Sequence, residues 1–132
     1  MMEWNVLIVD DAVAVVEALT HTLERLGLPA DQIFSAATPA AAMEIFRGKK
    51  PGVVFLDLNL GPARGDDVAK EILEASSATK VIVMTGMDPS DDRVRDVVSA
   101  GAFEVLQKPL RLKRVREALE LIDSEERGLR RI

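Results

Sequence analysis

The sequence predicts an α/β protein, a parallel sheet covered by helices on both faces. Three observations carry that prediction. Short apolar, strand-like runs alternate with helix-periodic segments five times along the 132 residues. Apolar residues make up 48% of the chain, enough for a globular core. No linker or low-complexity stretch interrupts the series, and the length suits one core. Strands joined through helices run parallel, and the helices then cover both faces.

The elements follow in order. Trp4 to Val9 reads as the first strand. Ala12 to Leu26 is helical, with Val16, Leu19, Leu23 and Leu26 on one face and Gly27 and Pro29 as the stop. Gln32 to Ala36 is a weak second strand. Thr38-Pro39 has the form of an N-cap with proline at the first helical position, and that helix ends near Gly48. Gly52 to Leu56 is the third strand and Gly65 to Ala75 the next helix. Lys80 to Met84 is the fourth strand. Asp88-Pro89 is expected to cap a helix with Val94, Val97 and Val98 inward. Phe103 to Leu106 is a short fifth strand, and Pro109 opens a last helix carrying Leu112, Val115, Leu119 and Ile122. The chain divides into one domain over residues 1–123 and a charged tail over 124–132.

Composition removes several function classes. The net charge is −5, which disfavours a direct nucleic-acid binder. Without cysteine there are no disulfides or thiolate metal sites, and one histidine, His21, rules out a histidine-rich centre. No apolar run reaches membrane-spanning length, and the N-terminus is a poor signal peptide, so the expected location is cytoplasmic.

In an open parallel sheet, ligands sit beyond the carboxyl ends of the strands. The first strand places Asp10 and Asp11 there, the third Asp57, the fourth Thr85, and the fifth leads into Lys108-Pro109. The second offers only Ser35, Ala36 and Ala37. Taken singly, each has an ordinary reading: Asp10 and Asp11 as helix-capping acids, Asp57 as a loop-starting aspartate, Thr85 as a strand residue and Lys108 as a surface charge. Together at one edge they describe a phosphoryl site. Three carboxylates in one pocket repel, and a hard cation such as Mg²⁺ relieves that repulsion through oxygen ligands. Lys108 adds charge, the Thr85 hydroxyl adds a donor, and Asp57 can act as a nucleophile that forms an acyl phosphate.

These residues lie within "IVDD" (8–11), "FLDLNL" (55–60) with Gly65, "VIVMTG" (81–86), "AGA" (100–102) and "KP" (108–109). In that order, each after its strand, they resemble the receiver domain of two-component response regulators from about Asn5 to Ile122. The resemblance implies a flavodoxin-like fold with strand order 2-1-3-4-5. It implies that Asp57 accepts phosphate, that Asp10 and Asp11 surround Mg²⁺ with the Asn59 backbone carbonyl, and that Thr85 and Lys108 contact the phosphoryl group. It implies that a cis peptide bond precedes Pro109. The partner is then a sensor histidine kinase or a histidine phosphotransfer protein. The output is an effector or a homodimer reached through the last two helices and fifth strand.

Two positions depart from the family pattern. Val105 stands where a tyrosine or phenylalanine is usual, so the rotating aromatic of the common switch is missing or moved. Gly61 stands where proline is common, with Pro62 one place later. A receiver fold acting as an unphosphorylated interaction module is the main alternative. A Mg²⁺-dependent phosphatase of the haloacid-dehalogenase type uses a similar kit. However, it places its nucleophile on the first strand and a second acid two residues later, where this chain has Asn59.

Overall fold

The computed structural model describes residues 4–126 and 128. Five strands form a parallel sheet: β1 (Val6–Val9), β2 (Ile33–Ala36), β3 (Val53–Asp57), β6 (Lys80–Thr85) and β7 (Glu104–Gln107). Two short strands, β4 (Asn59–Leu60) and β5 (Ala63–Arg64), pair antiparallel as a separate hairpin. The main sheet runs β2-β1-β3-β6-β7, which is the 2-1-3-4-5 order of the five principal strands. Five helices connect them: α1 (Val13–Arg25), α2 (Pro39–Lys49), α3 (Gly65–Ala75), α4 (Asp92–Ser99) and α5 (Leu112–Glu126).

Alternation along each buried strand sorts side chains into two layers. Leu7, Val9, Val54, Leu56, Val81 and Val83 pack against Met43, Phe46, Val68, Ile72, Val94 and Val97 of α2, α3 and α4. Val6, Ile8, Val53, Phe55, Ile82 and Met84 point the other way, to Leu19, Leu23, Val115, Leu119 and Ile122 of α1 and α5. The β3 strand is central, with a ladder to β1 on one side and β6 on the other, and all five of its residues are buried. Fully burying each large apolar side chain contributes roughly 1.5–3 kcal/mol, so the strand bearing Asp57 is strongly anchored.

Several expected boundaries shift, each for a local reason. The β1 ladder begins at Val6; Trp4 is half-buried, packs against the layer between the sheet and α1 and α5, and donates from Nε1 to Glu126 Oε1 at 3.1 Å. The N-cap of α4 is Asp91, whose carboxylate accepts from Arg93 N at 2.9 Å. Asp88 instead closes a turn on Ser90, accepting from its N–H at 2.8 Å. Val94 and Val97 face the sheet, whereas Val98 is 49% exposed. Pro109 follows a cis peptide bond, and α5 begins at Leu112, itself partly exposed. The α5 helix continues through Ser124–Glu126. Of the stretch read as a charged tail, residues 127 and 129–132 lie outside the described residues. Among the described residues, no helix is long and apolar enough to cross a membrane.

Candidate phosphoryl-accepting site

The carboxyl ends of β1, β3, β6 and β7 bring the expected residues together. Asp10 follows β1 and is buried. Its Oδ1 accepts from Ala12 N at 2.9 Å, fixing the turn into α1, while Oδ2 faces Lys108 Nζ at 2.8 Å. Asp57 ends β3, also buried. Its Oδ1 accepts from Asn59 N at 3.0 Å, and its Oδ2 pairs with Lys108 Nζ at 2.7 Å. Lys108 therefore bridges two carboxylates from neighbouring strands. Burial pushes its ammonium pKa down, but the hydrogen bonds to Asp10 and Asp57 outweigh that and raise it above the usual lysine value.

Asp11 is the exposed member of the acid group, at the mouth of the pocket. Asp10, Asp11 and Asp57 each offer a carboxylate oxygen, and these three atoms lie within 4.8 Å of one another. Three hard oxygen donors at that spacing suit Mg²⁺, which binds through a few carboxylates and retains waters. The chain after Asp57 is shaped to stay near this group. Gly61 takes φ +62, where glycine carries no steric penalty, and a Cβ there would lie 3.3 Å from Asp11 Oδ2. At Gly65 a Cβ would lie 1.9 Å from the Asp57 carbonyl oxygen, so only glycine lets α3 start so close to the acid.

Thr85 ends β6 and is fully buried. Its Oγ1 accepts from Met87 N at 2.9 Å, and its carbonyl accepts from Lys108 N at 2.8 Å. Val105 is half-buried and packs with Met87 and Ala102 against the α2–α4 layer. Gln107 Nε2 donates to Met87 O at 2.9 Å, tying the loop after Thr85 to β7.

One participant was not anticipated. Arg93 of α4 reaches the loop after Asp57. Its Nη1 donates to Asn59 Oδ1 at 3.0 Å and its Nη2 to Leu58 O at 2.6 Å. It also forms a two-pronged pair with Asp66 of α3, in which Nε donates to Oδ2 at 3.0 Å and Nη2 to Oδ1. Burial raises the Asp66 pKa, but hydrogen bonds from Arg93 and Arg64 prevail and hold it at about 2. In the sequence Arg93 is lost within a mixed-charge run. The available signal was Asp66, an acid on the same helical face as Ala69 and Ile72, where a charge needs a partner.

Comparison with known proteins agrees with this geometry. The family described as response regulator receiver domain matches residues 6–120. The chain belongs to that family. Receiver domains are the phosphorylation-controlled signalling domains of two-component systems, regulatory rather than enzymes in their own right. The receiver is 31% identical over 118 residues to the chemotaxis protein CheY of Thermotoga maritima, covering 89% of this chain and 96% of that one. It is 33% identical over 105 residues to the transcriptional regulatory protein CutR of Streptomyces coelicolor, covering 80% of this chain but 46% of the relative. Among solved structures, the signal receiver domain of a putative Luxo repressor protein from Vibrio parahaemolyticus superposes with a TM-score of 0.82 at 25% identity, covering 97% of both chains.

Proposed function

We propose that Asp57 accepts a phosphoryl group from a phosphohistidine of a sensor histidine kinase or histidine phosphotransfer protein in the cytoplasm. The observation that carries this reading is the Asp57 carboxylate, buried at the tip of the central strand with Oδ2 2.7 Å from Lys108 Nζ. An Asp57 oxygen attacks phosphorus, the P–N bond breaks, and its electron pair stays on the imidazole nitrogen. Lys108 Nζ, already held beside Asp57 Oδ2, offsets the developing negative charge as a preorganised cation. Asp10, Asp11, Asp57 and the Asn59 carbonyl would hold Mg²⁺, which when bound neutralises phosphoryl oxygens. Attack by water on the same phosphorus later restores the carboxylate and releases inorganic phosphate.

Thr85 supplies the response. A phosphoryl group adds negative charge and acceptor oxygens beside its hydroxyl. The Thr85 hydroxyl can donate to one of them while still accepting from the Met87 N–H, so its movement toward the phosphoryl group draws the loop from Gly86 inward. The β-branched Val105 cannot swing as an aromatic would, so the change passes to that loop and α4. The output surface is α4, β7 and α5, with Arg111 and Arg114 exposed on it, offered to an effector or a second copy.

The test is incubation with acetyl phosphate and Mg²⁺ followed by intact mass measurement. One added phosphoryl group is expected on the unsubstituted chain and none on Asp57→Asn. Absence of labelling on both would favour an interaction module that works without phosphate. Full labelling of Asp57→Asn would move the acceptor elsewhere.

A further inference from the structure

The Asp66–Arg93 pair is an expensive way to hold two helices together. The Asp66 side chain is only 3% exposed and that of Arg93 27%. Apolar residues of similar volume would join α3 to α4 without desolvating two charges, and such replacements are often neutral or stabilising. An apolar pair could not, however, bind the backbone beside Asp57. Arg93 does, because its planar fork serves several acceptors at once.

The contact is more specific than proximity. The Leu58 carbonyl and the Asn59 N–H belong to one planar peptide unit. At one end of that plane Leu58 O accepts from Arg93 Nη2 at 2.6 Å and from Gly65 N at 2.9 Å. At the other end Asn59 N donates to Asp57 Oδ1 at 3.0 Å. A guanidinium on the carbonyl polarises the N–H, which strengthens its bond to the carboxylate. The same arginine fixes the Asn59 side chain through Oδ1. Arg93 thus sets the orientation of the peptide that aims Asn59, and through it one oxygen of Asp57.

We propose that Arg93 is a positioning residue for metal binding and phosphoryl uptake at Asp57, and that the same contacts tie occupancy of the acid pocket to α4. The proposal rests on the reading of Asp10, Asp11, Asp57 and the Asn59 carbonyl as the Mg²⁺ site. Any rotation of the Asp57 carboxylate toward an ion or a phosphoryl group turns the Leu58–Asn59 plane. That plane cannot turn without pulling on Arg93, the second residue of α4. The tie acts before phosphorylation and reaches α4 through the Arg93 side chain rather than through the Thr85 loop. It gives a receiver lacking an aromatic at position 105 a second link to its output helix.

The test uses the whole unphosphorylated chain and Mg²⁺ as the probe. Three proteins are compared: the unsubstituted chain, Arg93→Lys, and the double variant Asp66→Leu with Arg93→Met. The double variant removes both charges, so no lone buried charge is left to unfold the protein. Calorimetry reads Mg²⁺ affinity, thermal melting without metal reads stability, and amide hydrogen exchange reads α4. The expected result is Mg²⁺ binding about threefold to tenfold weaker in both variants, the worth of one such hydrogen bond. Arg93→Lys keeps the charge but loses the fork, and the double variant retains its melting temperature. Slowing of exchange in Asp92–Ser99 on adding Mg²⁺ is expected in the unsubstituted chain and lost in the double variant. A double variant that binds Mg²⁺ within twofold of the unsubstituted chain, with its α4 response intact, would reduce the pair to a helix clasp and overturn the proposal. Failure of the unsubstituted chain to bind Mg²⁺ would bring down the metal-site reading and the proposal with it.

Discussion

Acid should weaken this fold through Asp66 in a way that one substitution isolates. In the folded chain the Asp66 pKa is lowered from 3.8 to about 2, with burial opposing and the hydrogen bonds from Arg93 and Arg64 prevailing. The folded state therefore holds the proton less tightly than the unfolded chain. Its stabilising contribution is complete above the unfolded value and is lost as pH falls toward 2. The gap of nearly two pH units, at about 1.4 kcal/mol each, corresponds to roughly 2 kcal/mol above pH 5. By pH 3 roughly half of that should remain, and by pH 2 only a few tenths. Asp66→Asn cannot lose a proton, so the other carboxylates cancel when variant and unsubstituted protein are compared. Urea unfolding at several pH values between 6 and 2.5 measures the difference. Asp66→Asn should be about 2 kcal/mol less stable at pH 6, with the gap closing steadily below pH 4. A difference that stays constant from pH 6 to pH 2.5 would refute the assignment of the lowered pKa to the Arg93 and Arg64 contacts.

The remaining predictions concern the pocket and its loops. Gly65→Ala places a methyl group where a Cβ would sit 1.9 Å from Asp57 O, and urea unfolding should show a loss of roughly 1–3 kcal/mol with slower labelling by acetyl phosphate. Lys108→Met leaves Asp10 and Asp57 facing each other without their shared cation, so melting temperature should fall in metal-free buffer and recover in part with Mg²⁺. An equal fall in both buffers would contradict that electrostatic role. Thr85→Ala should still accept phosphate, while the hydrogen-exchange change expected in the loop from Gly86 to Asp91 largely disappears, the part of the α4 change carried by Arg93 remains, and Val105 stays quiet in either protein.

Much of this architecture was legible because burial leaves a simple mark. Strands covered on both faces must be apolar throughout, so "VLIV", "VVFL" and "VIVM" stand out against helical periodicity. The acids at their ends were legible by the converse argument, since carboxylates following buried strands need a purpose. Errors clustered where several residues could make the same local bond. Asp88 and Asp91 both suit an N-cap; Ser90, two places after Asp88, captured the first for a turn and left the second for α4. The β4–β5 hairpin is two residues a side, too short for alternation to register. Arg93 was hidden for a different reason. Its partners Leu58, Asn59 and Asp66 are 27 to 35 positions away, and no period connects them.

The burial of β3 on both faces and both edges bears on how partners can share this molecule. A strand gripped on all sides serves as a fixed post, and whatever happens at Asp57 leaves the post in place. On the proposed function, displacement would then fall to the loops that rise from the sheet's carboxyl edge and to the helix they carry. The acid pocket opens at that edge, whereas the exposed Val98 of α4 lies away from the sheet on a side surface. A donor presenting phosphohistidine and a listener gripping α4 therefore need not compete for the same ground. On the proposed function, the chain could then be charged while its listener is already aboard.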